Sequence, residues 1–193
     1  FRLNTSNLSN LEARYELVKT MRASILVLGS MVAKYGYAKI ALPGGCAIGS
    51  RPVNYHLKAL EKLGAEISLN NGYIEAKSKK LIGADIEFEG VTVTGTENLM
   101  MAATLAEGKT TLTNVAKEPE ISDLADFLNS MGAKISGAGT DEIRIKGVKE
   151  LKGTTFKIPA DRIEAGTYLV AAALTNGKIT VKKIDSNRMG AII

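Results

Sequence analysis

The residues best suited to chemistry lie in one loop, residues 42–52, which holds the single cysteine of the chain, Cys46. Three glycines and two prolines, Pro43 and Pro52, surround this thiol, and such a composition is typical of a shaped loop. Arg51 follows five residues later, directly before a predicted helix. Backbone N–H groups at a helix N-terminus, together with a guanidinium, favour a bound anion. A lone cysteine is more often a small buried residue, but the glycines and Arg51 favour a reactive thiol beside an anion.

Two helices and a short strand must position this loop. A run rich in Leu, Met, Ile and Ala predicts a buried helix over residues 16–35 that Gly36 ends. A strand at residues 39–42 then enters the loop. Pro52 opens the next helix, because proline suits the first helical position, and Gly64 ends it.

The same order of elements recurs along the chain. The first unit closes with a hairpin, residues 66–69 and 73–76, around Asn71 and Gly72. The second unit is predicted to contain a strand at 86–93 that Gly90 breaks, a helix at 97–107 and a strand at 110–113. A helix that Ser122 caps and Gly132 ends follows, and then a hairpin of 134–136 with 142–146. The third contains a strand at 155–158, a helix at 165–174, a strand at 179–182 and a helix starting near Ser186. The helix-stop glycines Gly36, Gly108 and Gly177 are 72 and 69 residues apart, which indicates an internal repeat.

Composition narrows the classes of function. The 193 residues include 25 Lys and Arg against 20 Asp and Glu, a net charge of +5 that is spread along the chain. Aromatic residues make up only 5%, so a nucleic-acid partner is not expected, whereas anionic substrates are. No apolar run is long enough to cross a membrane, and a single cysteine fits a reducing compartment. No cluster has metal-ligand spacing, so neither a metal nor another cofactor is predicted.

Six segments carry a resemblance to a known family. The loop segment 43–53 (PGGCAIGSRPV) resembles the active-site loop of the UDP-N-acetylglucosamine 1-carboxyvinyltransferases, which are enolpyruvyl transferases. Five further segments are similar in the same order: 17–24 (LVKTMRAS), 94–98 (TGTEN), 102–108 (AATLAEG), 118–121 (EPEI) and 161–167 (DRIEAGT). The similarity runs from about residue 15 to 181.

The resemblance implies an inside-out α/β domain of repeated βαβαββ units, with buried helices and outward-facing sheets. Residues 1–14 are then a lead-in segment, and residues 15–193 form one such domain whose third repeat is incomplete. The family has a second domain, which this chain lacks and would contact across a cleft. Because the chain begins at Phe1, we expect a fragment or a processed product, inactive when isolated.

The activity implied is the first committed step of peptidoglycan synthesis, in the cytoplasm. The enolpyruvyl group of phosphoenolpyruvate moves to the 3-hydroxyl of UDP-N-acetylglucosamine, and phosphate leaves. Cys46 occupies the family position of the general acid, which is also the thiol that fosfomycin alkylates. A thiol near cations has a lowered pKa and is more reactive.

The resemblance also assigns substrate-binding positions. Arg22 and Arg51 match arginines that contact the substrates. A second group matches stretches that hold the nucleotide, largely through backbone groups: Pro52, Val53, Asn54, Tyr55, Val91, Thr92 and Val93. This chain departs from the family at two of these places, with Asn54 for Asp and Tyr55 for Leu. Directly before the second stretch it has Gly90, where some members have Lys.

Other interpretations remain open at this stage. His56, the single histidine, invites a catalytic role, but its place one turn into a helix favours a structural or site-lining role. The domain could bind a UDP-sugar without turning it over. It could also belong to the related shikimate-phosphate enolpyruvyl transferases, although those do not use this cysteine loop.

Overall fold

A computed structural model of the protein describes residues 1–42, 53–190 and 192–193. The chain divides into two compact units, residues 1–154 and 155–193. The first unit contains two four-stranded sheets and most of the helices. The boundary of the predicted lead-in at residue 14 falls just after a short strand that belongs to the first sheet.

The first sheet has the strand order β1-β2-β4-β3. Its strands are β1 (Glu12–Ala13), β2 (Tyr37–Ala41), β3 (Glu66–Asn70) and β4 (Tyr73–Lys77). β1 is parallel to β2, and the other pairs are antiparallel. The predicted hairpin of β3 and β4 is confirmed, and its two connecting residues, Asn71 and Gly72, have φ of 48° and 78°. Positive φ at both positions suits the tight turns that join twisted strands.

The second sheet repeats this plan with the order β5-β6-β8-β7. Its strands are β5 (Asp85–Glu87), β6 (Lys109–Thr113), β7 (Ile135–Ser136) and β8 (Glu142–Lys146). Again the first pair is parallel and the others are antiparallel. The two sheets therefore bear out the internal repeat that the glycine spacing indicates.

Helices form the interior of the first unit. They are α1 (Tyr15–Val18), a 3₁₀ helix (Arg22–Leu26), α2 (Val27–Tyr35), α3 (Asn54–Lys62), α4 (Val93–Ala103) and α5 (Pro119–Ser130). α2 and α4 pack against each other, and α4 buries seven of its residues. The strands alternate between buried and exposed side chains, as in β8. The predicted α/β class, with helices inside and sheets outside, is confirmed.

The single helix predicted over residues 16–35 is wrong. The chain leaves the helical conformation at Met21, whose φ and ψ are −134° and 102°. It re-enters as the 3₁₀ helix, where the Ser24 hydroxyl donates to the Met21 carbonyl at 2.7 Å. Helical periodicity on both sides of Met21 hides this break, because the pattern records which face is apolar and not whether the backbone is continuous.

The boundary between strand and helix near residue 90 also differs from the prediction. The strand ends at Glu87, and α4 begins at Val93, four residues before the predicted start. Thr92 is the N-cap, since its Oγ1 accepts from the Gly95 N–H at 3.2 Å. The alternating pattern of residues 86–93 predicts a strand up to residue 93. The cap at Thr92 starts the helix before that strand could continue.

The predictions for the start of α5 and for the third sequence repeat, which begins at residue 155, also need correction. α5 begins at Pro119 and not after Ser122, because proline is favoured at the first helical position. The second unit of the chain contains α6 (Arg162–Leu174) and a 3₁₀ helix (Ser186–Met189). No strand forms at the predicted 155–158 or 179–182, both of which are described. In each of the two sheets, β2 or β6 pairs with one strand of the hairpin that follows it. Residues 155–193 contain no such hairpin, so a strand there has no partner.

Candidate functional site

The loop that the sequence places at the centre of the chemistry lies outside the described residues. The predictions for Cys46, Arg51 and Pro52 therefore remain predictions. The structure does describe the other predicted substrate-binding positions. They fall on three elements of the first unit, at the beginning of the 3₁₀ helix, of α3 and of α4.

Arg22 is the first residue of the 3₁₀ helix and is half-buried. Its guanidinium is close enough to His56 on α3 to contribute to the lowered pKa of that imidazole. The break at Met21 sets the position of this residue, because a continuous helix would have carried Arg22 along a different axis. A cation is thus present beside the beginning of α3.

Val53, Asn54 and Tyr55 form the entry to α3. Val53 is the N-cap, and its carbonyl accepts from the N–H of His56 at 3.0 Å. Asn54 is exposed, whereas Tyr55 is half-buried and packs against the core. The first N–H groups of a helix have no acceptor inside it. The segment can therefore offer backbone donors to a ligand, which is the mode of binding the sequence predicts.

Val91, Thr92 and Val93 form the entry to α4. Val91 is 62% exposed, and Thr92 caps the helix. The close fit of Thr92 over the first turn requires glycine at position 95, where a Cβ would lie 2.3 Å from the Thr92 Cγ2. The cap directs the first turn of α4, and with it the exposed backbone of the segment.

The entries to α3 and α4 are neighbours. A Cβ placed at Gly90 would lie 3.1 Å from the Tyr55 hydroxyl, so the tyrosine occupies the space beside Gly90. Two of the departures from the family pattern, Tyr55 and Gly90, are therefore neighbours in space. Lack of a side chain at position 90 leaves room for the larger residue at position 55.

His56 joins the two helix entries and is buried, at 2% exposure. Its Nε2 lies 3.3 Å from the Thr94 Oγ1 in the first turn of α4, and its Nδ1 lies 3.0 Å from the Asn98 Nδ2. The structural or site-lining role favoured by the sequence fits this burial. The imidazole links α3 to α4 at the end where the predicted nucleotide-contacting segments lie.

Asn98 fixes the tautomer of His56. The backbone N–H of Gly29 donates to the Asn98 Oδ1 at 2.8 Å, so the amide nitrogen must face the other way. This nitrogen donates to the Ile25 carbonyl at 3.2 Å and faces the His56 Nδ1. A donor facing Nδ1 requires Nδ1 to be the acceptor, and the imidazole proton is then on Nε2, towards Thr94.

The same surroundings lower the pKa of His56 from 6.5 to about 4. Burial is the main cause, because it disfavours the charged imidazolium, and the charge of Arg22 adds to it. The amide donor of Asn98 acts in the same direction, since protonation would place two N–H groups face to face. His56 is therefore neutral at physiological pH.

Sequence reasoning did not identify Asn98 as a positioning residue. Asn98 is fully buried and connects the 3₁₀ helix, α2 and α3 to its own helix α4. The sequence feature that could have identified it is the position of Asn98, a short polar residue directly before the apolar helical run of residues 99–103. A buried amide must be satisfied by hydrogen bonds, so such a residue marks a junction between elements.

A second group of charged side chains comprises Glu97 on α4 and Glu118 and Glu120 at the start of α5. Burial raises the pKa of Glu97, and the negative charges of Glu120 and Glu118 raise it further.

No three His, Cys, Asp or Glu side chains among residues 1–42, 53–190 and 192–193 are grouped so that they could hold a metal ion. In the same ranges, no helix has the length and apolar character needed to span a membrane.

Known proteins are similar to this chain over nearly its whole length. Residues 2–193 match the family described as EPSP synthase (3-phosphoshikimate 1-carboxyvinyltransferase). A protein named UDP-N-acetylglucosamine 1-carboxyvinyltransferase from Ruthia magnifica subsp. Calyptogena magnifica is 64% identical over 99% of this chain. One of the same name from Hydrogenovibrio crunogenus is 59% identical over 99% of it. The chain spans 46% of the length of each of these two relatives. The resemblance drawn from the sequence is thus confirmed.

Solved structures support the fold alone, because the identities are low. The enolpyruvyl transferase NikO from Streptomyces tendae has a TM-score of 0.68 and 20% identity, over 82% of this chain and 38% of its own. An EPSP synthase from Acinetobacter baumannii has a TM-score of 0.61 and 23% identity, over 79% and 34%.

Proposed function

We propose a function on one premise: the chain belongs to the EPSP synthase (3-phosphoshikimate 1-carboxyvinyltransferase) family. In this proposal the whole protein transfers the enolpyruvyl group of phosphoenolpyruvate to the 3-hydroxyl of UDP-N-acetylglucosamine and releases phosphate. The observation that carries the proposal is the high identity to proteins named for that reaction. A cytoplasmic location and a place at the start of peptidoglycan synthesis belong to the same proposal.

Cys46 is the proposed acid. The substrate hydroxyl adds to the carbon of phosphoenolpyruvate that bears the phosphate, while Cys46 donates a proton to the neighbouring carbon. Phosphate then leaves and takes up the proton of the hydroxyl, and the neighbouring carbon returns its proton to the thiolate. A positioned acid for such a step typically contributes about 10² to 10⁴ in rate.

Arg22 and Arg51 are the proposed partners of the anionic groups of the substrates. An arginine fork pairs with phosphate or carboxylate through two parallel hydrogen bonds, which lysine cannot reproduce. For Arg22 the structure contributes a specific reason: it is half-buried at the beginning of the 3₁₀ helix, and the buried amide of Asn98 ties that helix to α4. A ligand between the helix entries would therefore lie close to its charge.

The nucleotide is proposed to bind at the paired entries of α3 and α4. Support comes from the Tyr55–Gly90 proximity and from the His56–Thr94 hydrogen bond, which hold the two segments side by side. Backbone recognition predicts that replacing the exposed Asn54 by alanine changes the KM for the UDP-sugar by less than about threefold, because the side chain is not needed for such contacts.

The test uses the whole protein and follows phosphate release from phosphoenolpyruvate. We expect release that requires UDP-N-acetylglucosamine and falls at least about a hundredfold in Cys46→Ala. Asn54→Ala is the matched control at the same site, and the chain of residues 1–193 alone is expected to be inactive. Release that requires shikimate 3-phosphate instead would move the protein to the other branch of the family. Calorimetric binding of the UDP-sugar without any release would identify a non-catalytic binding domain.

A further inference from the structure

Three lysines lie side by side at one end of the outward face of the second sheet. Lys109 on β6 is directly opposite Lys146 on β8. On the other side of β8, the Lys146 N–H donates to the carbonyl of Lys134 at 2.9 Å, which places Lys134 next to it. All three residues are exposed. Neighbouring strands are roughly 5 Å apart, so this lysine row is about 10 Å wide.

The lysine row is an unfavourable arrangement for an isolated sheet. Like charges directly opposite each other on adjacent strands destabilise the pairing. In the part of the chain that the structure describes, none of the three ammonium groups has a carboxylate within ion-pair distance. Two residues earlier on β8, by contrast, Arg144 is paired with Glu142 at 2.6 Å. Three positive charges on the row therefore remain uncompensated.

The first sheet shows that the fold does not require this charge. In the matching register its row is Tyr37 on β2, Lys77 on β4 and Glu66 on β3. There the single lysine lies 5.7 Å from the centre of the Tyr37 ring and 3.8 Å from the Glu75 carboxylate. The same architecture thus carries one compensated cation in the first sheet and three uncompensated cations in the second.

The lysine row borders a cleft of about 570 Å³, a size in the range of small-molecule sites. Thr111, Ser136 and Arg144 also line it, so hydroxyl and guanidinium donors stand next to the ammonium groups. None of the described residues that line this cleft is acidic. Closely spaced cationic side chains, whose ammonium groups have no carboxylate partner among the described residues, suit a compact ligand that carries several negative charges.

We propose that the lysine row and its cleft bind a small oligophosphate anion, such as the polyphosphate chain of a nucleoside triphosphate. A phosphate chain laid across the three strands would neutralise the facing lysines and accept hydrogen bonds from the hydroxyls of Thr111 and Ser136, which flank Arg144 on the neighbouring strands. A nucleic acid fits less well, because the outward positions of β6, β7 and β8 at this end carry no aromatic residue on which bases could stack. The site goes beyond the proposed transfer reaction.

The experiment measures binding of sodium tripolyphosphate to the whole protein by calorimetry, with UDP-N-acetylglucosamine present at saturation. We expect saturable binding with one site for each chain. The variant Lys109→Tyr/Lys134→Glu gives the second sheet the row of the first, and it should weaken binding at least tenfold. Lys77→Gln removes one lysine from the first sheet, is the charge-matched control for Lys146→Gln on the second sheet, and should change affinity less than twofold. Lys146→Gln, a milder change, should weaken binding by about fivefold.

Circular dichroism spectra and unfolding midpoints show whether each variant is still folded, so that weaker binding can be attributed to the loss of the site. The proposal is overturned if the unmodified protein shows no saturable binding under these conditions. Equal weakening by Lys77→Gln and Lys146→Gln would also overturn it, because the effect would then follow net charge alone. So would tighter binding of a single-stranded RNA than of tripolyphosphate, measured at the same salt concentration.

Discussion

Replacement of Asn98 by aspartate tests the hydrogen-bond network between the helix entries most directly. The change is nearly isosteric, and the remaining oxygen can still accept from Gly29. The second oxygen, however, takes the place of the amide donor, 3.0 Å from the His56 Nδ1 and 3.2 Å from the Ile25 carbonyl. An acceptor facing Nδ1 is satisfied only if the imidazole carries a proton there.

The magnitudes favour protonation of His56 in Asn98→Asp. Raising the pKa of His56 from about 4 to above 7 requires about 4 kcal/mol. Opposite charges about 3 Å apart attract by about 5 kcal/mol at an effective dielectric constant of about 20. The attraction exceeds the requirement, so the pKa of His56 should rise above 7 in this variant.

The assay is ¹⁵N NMR of histidine side chains in the whole protein, with His56→Gln used to assign the signal. The unmodified protein should show a neutral ring, protonated on Nε2, down to about pH 4, and Asn98→Asp should show an imidazolium at pH 7. Asn129→Asp is the control, because Asn129 also bonds backbone groups, at Ile135, but lies on α5. A His56 that titrates near its ordinary pKa in the unmodified protein would refute the reasoning, and so would an unchanged ring in Asn98→Asp.

Three further predictions concern stability and can be measured by chemical denaturation of the whole protein. The lowered pKa of His56 means that the unfolded chain binds more protons between pH 4 and 6.5, so stability should fall by about 3 kcal/mol as the pH drops through that range; the loss should be absent in His56→Gln. Gly29→Ala places a Cβ 2.4 Å from the Asn98 Oδ1 and should lower the free energy of unfolding by about 1–3 kcal/mol, whereas Gly153→Ala, with no atom within 4 Å, should leave it nearly unchanged. Burial and two neighbouring glutamates raise the pKa of Glu97, so its charged form disfavours folding; Glu97→Gln should be more stable than the unmodified protein at pH 7, and this difference should vanish as the pH falls below the ordinary pKa of a glutamate.

Features that depend on local chemistry were predictable from the sequence. The turn between β3 and β4 needs positive φ at two successive residues, and Asn71 with Gly72 meets that need. Gly36 and Gly132 likewise mark helix ends with φ of 72° and 101°. Because these preferences act within a few residues, the order of elements and their repeat could be read from the chain.

Features that depend on distant partners were not predictable. The third sequence repeat has strand-like segments at 155–158 and 179–182 that form no strand, because a strand needs partners as well as propensity. The beginning of α4 depends on how Thr92 and Gly95 fit together, and the alternation of β-branched residues pointed to a strand instead. Propensity is a weak guide wherever a cap or a missing partner decides.

The candidate site divides in the same way. The sequence by itself determined the residue types, the family, and the positions at helix entries where anionic and nucleotide groups are expected. Only the tertiary structure decided that Asn98 bonds to Gly29, 69 residues away, and thereby sets the tautomer and the charge of His56. The physical reason is that burial makes every polar group depend on the partners that folding brings to it, and no spacing along the chain specifies those partners.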